Sequence, residues 1–285
     1  CESCGIVPEK EENLPIVLPS YLPNENALHH PSFRDVTCHK CGKKAQRESD
    51  TFDTFVDSSW YYLRYACTDA NDVFLNEGVR KFSPVDLYIG GIEHAILHLL
   101  YARFIHKTIR DMGFVDNNEP FKRLLNQGMV LKNGNKMSKS KGNIVSPIAI
   151  IDEYGSDACR MFVSFAAPPQ QTLEWSDQGL EGNFRFLRKL WAEAYQDHSS
   201  IPSALSTPSD AYIILKQINQ DYDRQQLNTV VSGIMKLFNL LQDTTENTQR
   251  FAIWRIMLIA LHTIASGTHH MIEKWCSKVS HDTSK

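Results

Sequence analysis

Asn133-Gly134-Asn135-Lys136-Met137-Ser138-Lys139-Ser140-Lys141-Gly142-Asn143 carries more chemical information than any other run in this 285-residue chain. With Lys132 just ahead of it, four lysines fall within ten residues. Glycine and asparagine at both ends predict a mobile loop, because both enter the left-handed conformations that turns require. Ammonium groups this close repel one another unless an anion lies among them. A triphosphate fits, since lysines on a loop can neutralise the charge that grows on a phosphoryl group in its transition state. A plain basic surface loop has the same composition, so the neighbouring segments decide between the two.

Immediately upstream, Leu124-Leu125-Asn126-Gln127-Gly128-Met129-Val130-Leu131 reads as a strand feeding the loop. Further back, Val85-Asp86-Leu87-Tyr88-Ile89-Gly90-Gly91 reads as a buried strand. Its closing glycine pair lets backbone approach a ligand at the carboxyl end of the strand, where open α/β sheets hold nucleotides. Residues 93–112 have the period of a long helix, with Gly113 as its C-cap. Strand, helix and strand in succession predict a parallel α/β unit. His94 and His98 share a face of that helix, one turn apart. They fit partly buried structural histidines or metal ligands, although the His-Glu-x-x-His pattern is absent. At the binding edge of a sheet, substrate contact is a third role. Residues 54–62 set hydroxyls among aromatic rings. They fit a core strand running into a helix, or the wall of a pocket for an apolar ligand.

Downstream of the lysines, residues 148–154 and 156–165 read as helices broken by Gly155, with Asp157 favouring the positive end of the second and Pro168-Pro169 stopping it. From about residue 180 the pattern is helical. Residues 184–191 have an apolar and a basic face, and residues 199–209 form a Ser/Pro linker. Amphipathic stretches at about 210–223, 228–242 and 248–277 predict an α-helical bundle with a short polar tail.

At the other end, Cys1-Glu2-Ser3-Cys4-Gly5 and Cys38-His39-Lys40-Cys41-Gly42 are two Cys-x-x-Cys-Gly units. Two intervening residues let both sulfurs face one ion, and the glycine allows the tight turn whose N–H groups point at them. Cys1, Cys4, Cys38 and Cys41 are therefore candidate ligands of a tetrahedral structural Zn2+, four reduced thiols being the alternative. Five prolines in the spacer fit an extended excursion. Seven cysteines so spaced point to metal and a reducing compartment rather than a disulfide scaffold. Length and 42% hydrophobic content suffice for about two domains. With a net charge of −3, a nucleic-acid binder must cluster its basic residues. No apolar run reaches the roughly 18 residues of a membrane span, and no signal-peptide pattern is evident. Because a ligand at a terminus is poorly held, the sequence is expected to begin partway through a larger protein.

These segments together resemble the C-terminal half of the leucyl-tRNA synthetases of bacterial or organellar type, which are class I aminoacyl-tRNA synthetases. The resemblance spans nearly the whole chain and is strongest over residues 51–191. Lys136-Met137-Ser138-Lys139-Ser140 matches the class I signature loop letter for letter. The runs at 51–62, 88–103 and 126–131 carry the leucyl character, and Thr172-Leu173-Glu174-Trp175 and the helix around Arg188 also look like that family.

The resemblance implies the second half of a Rossmann-like nucleotide-binding domain, an α/β fold, with a small zinc-ribbon-like module and a C-terminal helical bundle. The implied units are residues 1–50 (the module), 51–131 (the half-domain), 132–179 (signature loop and stem-contact region) and 180–285 (an incomplete anticodon-binding-type bundle). It implies activation of leucine by ATP, with Mg2+, to leucyl-adenylate, and transfer to tRNA(Leu). Phe55, Ser58, Tyr61, Tyr88, His94 and His98 would line the leucine pocket. Gly90, Gly91 and Glu93 would lie against the adenosine, with Glu93 accepting from a ribose hydroxyl. Gln127, Met129 and Val130 would frame the adenine side. Lys136, Met137, Ser138 and Lys139 would hold phosphates, with Lys136 and Lys139 catalytic. A bacterial cytoplasm is expected, an organelle matrix or plastid being the alternative.

Several family features are absent from these residues: the His-x-Gly-His motif, the amino-group ligands near it, the editing domain, the C-terminal domain and an insertion between Leu131 and Lys136. Residues 265–270 depart from the family pattern. The stretch is expected to be inactive alone and to need an N-terminal half, in cis or as a separate subunit. Two rivals stay open: a valyl, isoleucyl or methionyl enzyme, and a zinc-containing tRNA-binding protein without catalysis.

Overall fold

In the computed structural model the described residues are 1–20, 26–71, 73–195 and 204–271. Part of the expected linker, the end of the last expected helix and the polar tail lie outside them.

The N-terminal module holds a short helix α1 (Pro31–Arg34) and an antiparallel pair, β1 (Asp35–Thr37) and β2 (Lys44–Gln46). Cys38-x-x-Cys41 occupies the turn between the strands. The aromatic run at 51–62 is helical, not a strand: α2 (Thr54–Asp57) is capped by Asp53, and α3 (Tyr61–Tyr65) follows. Asp53 accepts from the Phe55 N–H, and this local capping outweighs the strand preference of the aromatic residues. A further short helix, α4 (Gly78–Phe82), precedes the sheet.

β3 (Tyr88–Gly91) and β4 (Leu124–Gln127) pair in parallel, with Gly91 opposite Gln127. α5 (His98–Asp111) makes the crossover, as the strand–helix–strand pattern predicts. The expected continuous helix over 93–112 is interrupted, however. Residues Ile92–Ile96 form a 3-10 turn, and Leu97 leaves helical geometry at φ −112°, ψ −106°. Ile92 and Ile96 are 60% and 80% exposed, so no local burial draws the turn into α5. Gly113, at φ +86°, ends the helix as expected.

The expected strand over 124–131 is two strands. β4 stops at Gln127, and β5 (Val130–Lys132) belongs to another sheet with β6 (Asn135–Lys136) and β7 (Leu173–Glu174). Gly128 is the break. Its N–H donates to Pro169 O (2.9 Å), and a Cβ there would fall on the Gln171 carbonyl. β5 and β6 are antiparallel around Asn133-Gly134, both at positive φ, the pattern of a primed hairpin turn. β7 lies parallel to β5, so residues 172–175 are a sheet edge.

Helices α6 (Pro147–Tyr154) and α7 (Ser156–Ala166) meet at Gly155, and α8 (Asp177–Ala194) starts from a Ser176 cap. α9 (Ser209–Asp223), α10 (Leu227–Asp243) and α11 (Asn247–His262) follow. α11 stops well short of residue 277 in a 3-10 turn at Ser266–Thr268, where Gly267 abuts the Asp157 carboxylate. These helices pack around Met161, Leu190, Ile218, Ile234, Leu237, Ile253 and Met257, all buried. Among the described residues no helix is long and apolar enough to cross a membrane.

Gly128→Ala is expected to lower the thermal midpoint, at a cost of about 1–3 kcal/mol, because the backbone at Gln171 must move. Gly182→Ala in α8, where nothing lies within 4 Å, should raise it by about 0.5–1 kcal/mol. Melts followed by circular dichroism, run side by side, check both.

Candidate functional site

The carboxyl ends of β3 and β4 form one lip of a cleft of roughly 270 Å³. α2 and the start of α5 supply its wall. Phe55, Ser58, Tyr88, Gly90, Gly91, His94 and His98 line it, together with Ile89, Leu99 and Asn126. Five of the six residues expected to surround an apolar side chain thus face one space. The sixth, Tyr61, stands behind them, and its hydroxyl is 2.8 Å from the Tyr88 hydroxyl. Asn126 escaped the sequence reading. Its signal was its register opposite Gly90, which only the strand pairing reveals.

Tyr88 Oη also lies 2.7 Å from His98 Nε2, giving a chain Tyr61–Tyr88–His98. Burial, then the neighbouring His94, holds the His98 imidazole below the ordinary histidine range. Burial pushes the Tyr88 phenol up. The pocket therefore presents neutral hydrogen-bonding groups among rings. Phe55 meets His94 edge-on at 6.1 Å and Tyr101 at 5.9 Å. His94 Nδ1 is buried without a partner among the described residues. His94 and His98 form no metal-binding group with Cys, Asp or Glu there.

Glu93 sits in the 3-10 turn with its carboxylate folded over Gly91. Gln127 ends β4 opposite Gly91. Met129 and Val130 lie past the Gly128 break, on the way into β5. Beyond them the lysine-rich segment has defined backbone geometry. Lys136 closes β6, Ser138 caps a 3-10 turn at Lys139–Lys141, and Gly142 ends it at φ +63°. Asn143 ties the segment from both sides, accepting from Ser138 N–H (2.9 Å) and donating to Lys136 O (3.3 Å). Lys141 donates to Asn135 Oδ1 (3.0 Å). Among the described residues neither Lys136 nor Lys139 makes an ion pair, and both are exposed.

At the N-terminal module the sulfurs of Cys1, Cys4, Cys38 and Cys41 lie within 4.8 Å of one another. A metal with bonds of about 2.3 Å to four sulfurs needs them about 3.8 Å apart, so the cluster has the size to hold one. Gly5 and Gly42 take φ +66° and +71°, completing the two turns. Backbone N–H groups of Cys41 and Lys40 donate to the Cys38 sulfur and lower its pKa. A hydrogen bond with Cys41 is the main cause that pushes Cys4 up to about 11.

The sequence pattern of tRNA synthetases class I (I, L, M and V) matches residues 22–176, more than half of the chain. The chain belongs to that family. Among curated relatives, Leucine--tRNA ligase of Legionella pneumophila (strain Paris) is 48% identical over 297 residues, 95% of this chain. The same-named protein of Coxiella burnetii (strain Dugway 5J108-111) is 48% identical over 87% of it. The chain spans only 36% and 33% of their lengths. Among solved structures, an Agrobacterium radiobacter K84 LeuRS in ternary complex with tRNA and LeuAMS superposes with a TM-score of 0.83 at 34% identity. That match covers 97% of this chain and 38% of the other. A Mycobacterium tuberculosis methionyl-tRNA synthetase with methionyl-adenylate shares the fold at TM-score 0.55 and 20% identity, over 76% of this chain and 49% of that one. This member of the class I synthetases thus joins a parallel α/β unit, the signature segment and a set of helices in one stretch.

His98 and the fully buried His106 are both held below the usual histidine pKa by burial. Unfolding raises those pKa values, so the unfolded chain binds more protons as pH falls below about 6.5. Stability is expected to be full above that pH and to decline as it drops toward the folded-state values. Ring-proton NMR titration and urea midpoints between pH 7.5 and 5 check the sign.

Proposed function

We propose that this stretch is the second half of the catalytic cleft, with the tRNA-facing helices, of a leucine–tRNA ligase. The observation that carries this reading is the cleft at the β3–β4 edge lined by Phe55, Ser58, Tyr88, His94 and His98, rings and small groups of the kind that suit a branched apolar side chain. The names of the relatives and the tRNA and LeuAMS in the neighbouring complex support it. Gly90, Gly91 and Glu93, at and just past the end of β3, would take the adenosine, with Gln127, Met129 and Val130 on its base side.

A leucine carboxylate oxygen attacks the α-phosphorus of ATP, the bond to the bridging β-phosphate oxygen breaks, and pyrophosphate leaves. Lys136 and Lys139 neutralise the charge developing on the departing phosphates, with Mg2+ accompanying ATP. A hydroxyl of the 3′-terminal ribose of tRNA(Leu) then attacks the leucyl carbonyl, and AMP leaves. Residues 51–131 act as the half-domain, 132–179 as the signature and stem-contact region, and 180–285 as the anticodon-binding-type helices. Residues 1–50 form a zinc-ribbon-like module in which Cys1, Cys4, Cys38 and Cys41 hold structural Zn2+. Four thiolates on two knuckles suit that ion.

The first half of the nucleotide fold has to come from elsewhere, in cis or as a separate subunit. Ile96, Leu100 and Phe104 support this. Leu100 and Phe104 lie one turn apart on α5 and Ile96 just ahead of it, and they are 56%, 68% and 80% exposed. An apolar stripe beside a two-stranded sheet is a face that another layer covers.

Leucine-dependent exchange of pyrophosphate into ATP, measured on the complete polypeptide as its cells make it, tests the assignment. Leucine should exceed valine, isoleucine and methionine across an amino-acid panel. Lys139→Ala should cut the rate about a hundredfold, the usual loss for one positioned donor. Preference for another amino acid would overturn the leucyl assignment. Tight tRNA binding with no exchange, unchanged by Lys139→Ala, would favour a non-catalytic tRNA binder. For the module, metal analysis should find one zinc per chain, and Cys4→Ser should lose it and unfold residues 1–50, because binding and folding of so small a unit are one event.

A further inference from the structure

Tyr88 is held from behind by a ring that does not itself reach the cleft. Phe121 lies flat against it, with ring centroids 3.9 Å apart and planes at 11°. Phe121 is half-buried and absent from the residues that line the cleft. Aromatic pairs left to themselves prefer offset or edge-on geometry with centroids about 4.5–7 Å apart. A stack this close and this flat is imposed by its surroundings.

Those surroundings are rigid on both sides. Phe121 bridges Val85 in parallel, with Val85 N–H donating to Pro120 O (2.9 Å) and Lys122 N–H to Val85 O (2.8 Å). Tyr88 N–H donates to Arg123 O (2.9 Å). Behind Phe121 lies the buried Tyr62, at 5.2 Å. Its hydroxyl is 2.7 Å from His106 Nδ1, and His106 Nε2 is 3.0 Å from the Asn117 carbonyl. The Asn117 side-chain nitrogen also lies 3.0 Å from Nε2, so Tyr62 and Asn117 between them engage both ring nitrogens in either tautomer. A fully paired buried network has two-sided stiffness, since any shift leaves a polar group unpartnered. The line Asn117–His106–Tyr62–Phe121–Tyr88 thus ends on the wall of the cleft, where the Tyr88 hydroxyl joins Tyr61 and His98.

We propose that Phe121 is a positioning residue for amino-acid selection: it sets the depth of the Tyr88 ring, and with it the size of the hole that receives the substrate side chain. The proposal rests on reading the cleft as the amino-acid pocket. Apolar pockets separate side chains that differ by one methylene by only about 1–3 kcal/mol, so a small displacement of one wall shifts the preference measurably.

Two substitutions push the wall in opposite directions. Phe121→Leu lets Tyr88 retreat, and Phe121→Trp drives it inward. On the complete polypeptide, pyrophosphate exchange with a panel of leucine, methionine, isoleucine and valine is measured alongside melting temperature. With Phe121→Leu, KM for leucine should rise about tenfold while kcat stays within about twofold, and the longer methionine should gain on leucine. With Phe121→Trp, the smaller valine should gain instead. Phe121→Tyr, which keeps the ring, should behave like the parent. The NMR titration of His98 gives a readout independent of activity, and it should move up toward an ordinary histidine in Phe121→Leu as water reaches the ring.

An unchanged panel in the Leu and Trp variants overturns the proposal. So does a fall in kcat for all four amino acids in step with the melting temperature, or an unmoved His98 titration. A parent protein that prefers another amino acid overturns the leucyl assignment alone, because the opposite size shifts are then read relative to that amino acid.

Discussion

Parallel pairing of Tyr88–Gly91 with Leu124–Gln127 is the constraint from which the rest of the site follows. Because Gly91 stands opposite Gln127, both strands end at one level, and everything that leaves them starts from one edge. From β3 the chain turns through Glu93 and His94 before α5 begins at His98. From β4 it passes Gly128 and enters a different sheet. A parallel pair also requires a crossover, so α5 must lie on one face of the sheet. Leu99, Ala102, His106 and Ile109 are buried there, while Ile96, Leu100 and Phe104 stay open.

The lysine-bearing hairpin depends on that edge through Gly128. Closeness of the backbone at Pro169–Thr172 is tolerated only because residue 128 has no Cβ, and it brings β7 beside β5. Glu174 then accepts from the Gly134 N–H at 3.0 Å, bracing the turn. Ser138 and Asn143 satisfy the backbone of the next turn, and among the described residues neither Lys136 nor Lys139 makes an ion pair, both being exposed. A placed backbone with exposed cations on it suits the phosphate-holding role proposed for these two lysines.

Among the helices one polar device sits beside a large apolar core. Arg250 on α11 pairs with the buried Glu193 of α8 (2.7 Å) and donates to the carbonyls of Leu241 (2.7 Å) and Thr244 (2.9 Å) at the end of α10. The last carbonyls of a helix have no partner within it. One guanidinium therefore caps α10, holds the start of α11 and neutralises a carboxylate. Burial of such a pair adds little net stability, but loss of either member would strand a charge.

Much of this was legible in local pattern. The Cys-x-x-Cys-Gly units place their glycines at the positive φ they need, and apolar periodicity located α7, α9 and α10 to within a residue or two. Parallel strands around a helix and the lysine-rich segment were also readable, because each is encoded by neighbours a few positions apart, whereas Phe55, Ser58, Tyr88, His94 and His98 came from the family resemblance and their common cleft from the fold. Other features were decided only by segments distant in sequence. Residues 124–131 look like one strand, yet the approach of residues 169–172 divides them between two sheets. Period alone does not separate a 3-10 turn from the α-helix it precedes, so the break at Leu97 was invisible. Asn126 joins the cleft, and Phe121 backs it, through strand register and ring packing. Side-chain type and spacing are local properties and can be read along a chain. Which surfaces meet is settled by the joint packing of all of them, and tertiary structure alone contains it.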